Sequence, residues 1–183
     1  MRQGAGILVA GGLLLLSACT SHKPDDFVRG HDLAPANLPL ADRGRIYQEA
    51  IGASFQVGDP SLYLLLDPRF LPRTGGYGDG DPMSQAMQNT LLKSHIVQGT
   101  CIPKGGGSGK LAHCTARLAG YVVRFSDVFQ LPADTVSVYL YVQRYSTPTS
   151  TGIGPLRFER VYKLVRHGTA WDAVAEGRLK LDQ

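Results

Sequence analysis

Four stretches in the C-terminal half of the chain alternate between apolar and polar residues. Tyr121, Val123 and Phe125 alternate with Val122, Arg124 and Ser126, and Val136, Val138, Leu140 and Val142 with Ser137, Tyr139, Tyr141 and Gln143. Phe158, Tyr162 and Leu164 alternate with Arg157, Glu159, Lys163 and Val165. Trp171, Ala173, Ala175, Leu179 and Leu181 alternate with Asp172, Val174, Glu176, Arg178 and Lys180. A period of two sends successive side chains to opposite faces of a strand. The stretches are joined by Leu131-Pro132-Ala133-Asp134, by a Thr/Gly/Pro-rich loop near Thr147–Pro155, and by His167-Gly168. Turn-forming residues between alternating runs predict an antiparallel meander.

The N-terminal half has a different period. From Asp42 to Ile51, the residues Ile46, Tyr47, Ala50 and Ile51 share one helical face, with Asp42 placed to cap the start and Gly52 to close the end. Ser61 to Leu66 is a short apolar run between Pro60 and Pro68, the pattern of a strand buried on both faces. Asp67 to Asp81 reads as an irregular loop. A second helix is expected from Asp81 as N-cap and Pro82 as first helical residue. Met83, Met87 and Leu91 are spaced by four along it, and it runs to about Val97 before Gly99. The class is therefore α+β, with two helices packed on a curved antiparallel sheet of about four to five strands. This order across Asp42–Leu181 loosely resembles the cone-shaped NTF2-like and cystatin-like folds. The resemblance rests on the pattern and on no motif, and a fold does not give a function.

The first residues are patterned differently again. Arg2 precedes an apolar and small stretch from Ala5 to Leu16, followed by Ser17, Ala18 and Cys19. A basic start, a short apolar core and small residues make a secretory leader. Leu16-Ser17-Ala18-Cys19 resembles the lipobox of bacterial lipoprotein precursors. That resemblance implies cleavage between Ala18 and Cys19, a diacylglycerol on the Cys19 sulfur, and acylation, for example by palmitate, of the new amino terminus. Several acyl chains anchor firmly where one is marginal. Thr20, rather than Asp, in the second mature position resembles lipoproteins of the outer membrane, facing the periplasm or the surface. Residues 19–40 are polar and punctuated by Pro24, Pro35 and Pro39, so they are read as a flexible tether ahead of one domain over 41–183.

Cleavage would leave 165 of the 183 residues and lower the net charge from +4 to +3 through loss of Arg2. That size suits a single core. The charge is too small, and no cluster of Lys and Arg interleaved with aromatics exists, so nucleic acid is not an expected partner. With Cys19 assigned to lipid, Cys101 and Cys114 form an even pair in an oxidising compartment. The glycine-rich segment between them closes easily, and a Cys101–Cys114 disulfide is expected, contributing roughly 3 kcal/mol in the chain-entropy model.

Several candidate chemistries fail on spacing. Lys104 occupies the first glycine position of a phosphate-binding loop ending at Gly109-Lys110, and Leu111 stands where Ser or Thr belongs. Gly107-Ser108-Gly109 ends in Lys110 and so lacks the nucleophile-elbow pattern. Asp67, Asp79 and Asp81 do not have the spacing of a calcium loop. His95, Cys101, His113 and Cys114 match no zinc signature. No metal or other cofactor is expected. Arg157, Glu159 and Lys163 are expected to pair across strands with Glu176, Arg178 and Lys180.

Two functional expectations remain. In the first, Tyr139, Tyr141 and Tyr145, with Gln143 among them on one strand face and Tyr121, Tyr162 and Trp171 on neighbouring strands, form a half-wet contact surface. The protein is then a non-enzymatic envelope lipoprotein whose partner is an envelope protein, a glycan or a small apolar ligand. In the second, an NTF2-like pocket uses Asp127, Glu159, Arg178 and His167 to bind or transform a small molecule.

Overall fold

A computed structural model describes residues 29–55, 62–102, 120–145 and 157–180. The elements run α1 (Leu40–Ser54), β1 (Leu64–Leu66), α2 (Gln85–Lys93), β2 (Gly99–Thr100), β3 (Gly120–Phe125), β4 (Phe129–Leu131), β5 (Thr135–Tyr145), β6 (Arg157–His167) and β7 (Ala170–Lys180). Two helices pack on one face of a single sheet, and the class is α+β. Among the described residues the sheet has seven strands, in the order β2-β1-β3-β5-β6-β7 with β4 also paired to β5.

The four alternating runs become β3, β5, β6 and β7, each antiparallel to the next in the sheet. The sheet is nonetheless mixed. β1 lies parallel to both β2 and β3. Parallel neighbours need a crossover, and α2 supplies one between β1 and β2. As expected of a strand flanked on both faces, Leu64, Leu65 and Leu66 are all buried. β2 and β4, of two and three residues, are too short to show a period.

β4 continues the line of β3 after a break. β3 pairs with the C-terminal half of β5 and β4 with its start. At the break, Ser126 exchanges backbone contact with Tyr139 differently: its N–H donates to the Tyr139 carbonyl, and its Oγ accepts from the Tyr139 N–H at 2.9 Å. Along the outer side of β4 runs residues 34–36, tied by Ala36 N–H to the Val128 carbonyl and by Gln130 N–H to the Ala34 carbonyl. The segment read as tether therefore includes residues 29–39 that the structure packs onto the sheet as a strap.

The helices also begin and end differently from expectation. α1 starts at Leu40 behind Pro39, with no side-chain cap; Asp42 sits in the first turn, 3.6 Å from both Arg45 and Arg166. A carboxylate there suits the helix dipole. α2 starts three residues later than Pro82, because Pro82 bridges Arg69 and the Met83 N–H is bonded to the Pro68 carbonyl. Ser84 is the cap, its hydroxyl accepting from the Met87 N–H. The helix stops before Val97 because His95 takes a left-handed conformation, φ 59°.

Between helices and sheet lies the main core: Ile46, Tyr47, Ala50 and Ile51 from α1, Met87 and Leu91 from α2, and Val123, Phe125, Val138, Leu140, Val142, Tyr162, Leu164 and Trp171 from the sheet. A bulge at Val161/Tyr162 leaves Glu176 without a register partner and sets Leu179, not a charged residue, opposite Glu159. No helix among the described residues is long and apolar enough to cross a membrane.

Candidate functional site

The face of the sheet turned away from the helices carries polar side chains, and they are buried. Strand register lines them up in rows. Arg124 on β3, Tyr141 on β5 and Glu159 on β6 are direct neighbours, and beside them run Leu65, Val122, Gln143 and Arg157. A charged row on an open sheet would face water; here the strap and the loop 67–81 roof it.

Arg29 enters from the strap. It is fully buried, as is Glu159. Its Nε and Nη2 donate to the two carboxylate oxygens of Glu159 at 2.7 and 2.9 Å, and Nη1 donates to the Pro72 carbonyl at 2.6 Å. This paired geometry is the strong form of an arginine–carboxylate contact. The guanidinium lies 5.0 Å from the centre of the Tyr77 ring, whose hydroxyl donates to Glu159 Oε2 at 2.9 Å. Tyr77 in turn lies 4.6 Å, ring to ring, from Tyr141. Gly30 follows with φ +62°, and a Cβ there would stand 2.8 Å from the Phe129 ring. A left-handed backbone against an aromatic wall leaves glycine as the residue that fits.

Arg124 holds the roof from beneath. Its three nitrogens donate to the carbonyls of Arg69, Phe70 and Tyr77 at 3.0, 2.6 and 3.0 Å. Gly80 passes so close that a Cβ would overlap the Phe70 carbonyl oxygen. Asp67, also buried, receives the Arg69 guanidinium at 2.9 and 2.8 Å, while Arg69 reaches Asp79 at 2.5 Å.

Burial lowers the Arg124 pKa, although neighbouring Asp67 opposes the shift. Burial, then the charge of Glu159 and the hydrogen bond to it, raises that of Tyr77. Burial likewise raises Tyr141. Both phenols stay neutral donors at neutral pH. The arrangement is a set of closed ion pairs and donated bonds, and its physical effect is to clamp the strap and the 67–81 loop to the sheet.

The four residues expected to form a contact surface do share this face, but the face is covered. Tyr141, Gln143 and Tyr145 are buried, and Tyr139 is half-buried. The Tyr139 hydroxyl accepts from the Gly30 N–H at 3.1 Å, and its ring meets Phe129 edge-on at 6.2 Å. The Tyr141 hydroxyl donates to Gln143 Oε1 at 3.4 Å. Tyr145 belongs to a second apolar cluster with Leu65, Val122 and Cys101. Tyr121, Tyr162 and Trp171 turn to the helix face instead.

The residues of the pocket reading do not converge. Asp127 pairs with Arg43 at 2.5 Å beside α1, Glu159 lies on the opposite face with Arg29, and His167 sits at the β6–β7 turn 3.5 Å from Asp172. Arg178 lies on β7, and its side chain is outside the described residues. The expected pairing of Glu159 with charges on β7 gives way to Arg29.

Cys101 is disulfide-bonded and buried; Cys19 and the expected partner, Cys114, lie outside the described residues. Asp67 and Asp79 are engaged by Arg69, and Asp81 contributes its carbonyl to the Phe70 N–H. Among the described residues no group of three or more His, Cys, Asp or Glu is placed to hold a metal ion.

Sequence reasoning missed Arg29 and Tyr77 altogether. Both sit in stretches rich in Gly, Pro and Asp, where no period points to burial. One local sign exists for Arg29: the apolar pair Phe27-Val28 interrupts an otherwise polar stretch. Comparison with known protein families, with curated proteins and with solved structures finds no match to this chain.

Proposed function

We propose that this chain is an exported lipoprotein, anchored in the cell envelope through acylated Cys19 and serving there as a non-enzymatic interaction module. The observation that carries the reading is the disulfide at Cys101, inside a buried cluster with Leu65, Val122 and Tyr145. Structural disulfides persist in oxidising, exported compartments, which is where a leader ending in Leu16-Ser17-Ala18-Cys19 directs a chain. The non-enzymatic part is supported by the state of the acids and bases. Glu159, Asp67 and Asp127 are each held by an arginine, and such closed pairs favour rigidity over proton transfer. Contact with a partner falls to surfaces other than the roofed tyrosine face.

The test is the intact mass of the protein purified from its host's membranes, with and without reduction and thiol alkylation. A mass matching cleavage before Cys19 plus acyl chains, with two thiols alkylated only after reduction, is the expected result. A mass without lipid, or thiols that alkylate without reduction, overturns the reading.

A further inference from the structure

We infer that residues 29–39 are a latch that sets how far the folded domain can stand from the lipid surface, and that the Arg29–Glu159 pair is its catch. The inference rests on the anchor proposed above. Cys19 precedes Arg29 by ten residues and Leu40 by twenty-one. A chain reaches at most about 3.5 Å per residue. With the strap docked, the domain is held within roughly 35 Å of the acylated cysteine, and with it released the limit rises to roughly 73 Å.

Three features make the strap a discrete element. Its buried polar contacts reach distant parts of the chain: Arg29 to Glu159, the Arg29 N–H to the Arg73 carbonyl, Gly30 to Tyr139, and Ala34 and Ala36 to β4. Its apolar contribution is modest, with Ala36 the one fully buried apolar side chain and Leu38 half-buried against the core, so limited hydrophobic area holds it if the ion pair opens. It ends at Pro39, immediately before α1, and reaches the main core through Ala36 and half-buried Leu38 at its C-terminal end, while α1 supplies Ile46, Tyr47, Ala50 and Ile51 to that core. The strap can therefore detach without dismantling the helix–sheet core. The catch is also the part most sensitive to change, because a buried charge that loses its partner is strongly destabilised.

The experiment uses the full-length protein in lipid nanodiscs carrying acceptor-labelled lipids, with a donor dye introduced at the exposed Gln85, and hydrogen exchange on the same samples. In Glu159→Gln, the amides of residues 30–36 should exchange roughly a hundredfold faster, as loss of a buried ion pair implies, and energy transfer to the lipid should fall. Gly30→Ala, which pushes the strap off Phe129 without touching the pair, should do the same and replaces Glu159→Gln if that variant does not fold. Unchanged protection of residues 30–36 in both variants would show that the pair is no catch. Fast exchange with unchanged transfer would show that the strap does not set the stand-off. Either result overturns the proposal. Absence of lipid from Cys19 in the mass spectrum would overturn the anchor instead, while the exchange result on the soluble protein would still decide whether Arg29 and Glu159 hold the strap.

Discussion

Arg29 and Glu159 stand 130 residues apart and meet with no solvent between them. Leaving one such charge without the other costs about 3–5 kcal/mol. Glu159→Ala should lower unfolding stability by that amount in urea titration. Replacing both together, as Arg29→Met with Glu159→Leu, should cost less than Glu159→Ala alone, since apolar pairs often substitute well for buried ions. A double variant as unstable as the sum of its singles would contradict this. Gly80 makes a second residue-scale case. Its Cα lies against the Phe70 carbonyl beneath the Arg124 guanidinium, and overpacking costs about 1–3 kcal/mol, so Gly80→Ala should lower the melting temperature. The sequence shows neither constraint. A glutamate in an alternating strand reads as solvated, and Gly80 reads as one of many loop glycines; burial comes from chain segments distant in sequence.

At the scale of elements, alternation was the reliable signal. It placed β3, β5, β6 and β7 because alternate residues of each, such as Val123, Val138, Leu164 and Trp171, pack into the core beneath the helices. The β4–β5 connection was visible at Leu131–Asp134, and it carries a strain the sequence conceals: Ala133 and Asp134 both have positive φ, 56° and 50°. A left-handed residue with a Cβ costs about 1–2 kcal/mol, part of which glycine's greater freedom in the unfolded chain offsets. Ala133→Gly should therefore stabilise the protein by about 0.5–1 kcal/mol, read from the denaturation midpoint; a loss of stability would mean that the turn is not under strain. Helix ends were less legible. Asp81 and Pro82 have the composition of a helix start, but Arg69 and Pro68 draw that stretch into extended pairing, and Ser84 inherits the cap. Cys101, next to β2, is disulfide-bonded; Cys101→Ser should cost about 2–5 kcal/mol, measured against the oxidised wild type.

For the molecule as a whole, buried phenols govern the alkaline limit. Tyr47, Tyr77, Tyr141 and Tyr145 all have raised pKa values, with burial the largest cause in each. A folded state that keeps its proton longer than the unfolded chain binds more protons above the unfolded value, about 10. Stability then falls as pH rises. Thermal unfolding between about pH 9 and pH 11, one unit on either side of that value, should show this decline, and Tyr77→Phe should make it shallower. An unchanged slope would mean that Tyr77 ionises alike in both states. The sequence by itself determined the class, the four long strands and the two amphipathic helices, because each depends on local periodicity; the proposed leader rests likewise on a contiguous motif. Tertiary structure alone decided that β1 enters the sheet in parallel, that residues 29–39 are a strap rather than a tether, and that the tyrosine face is roofed. Those outcomes depend on which distant segments bury which polar groups, and an arginine in a polar stretch carries no local mark of the glutamate it will meet.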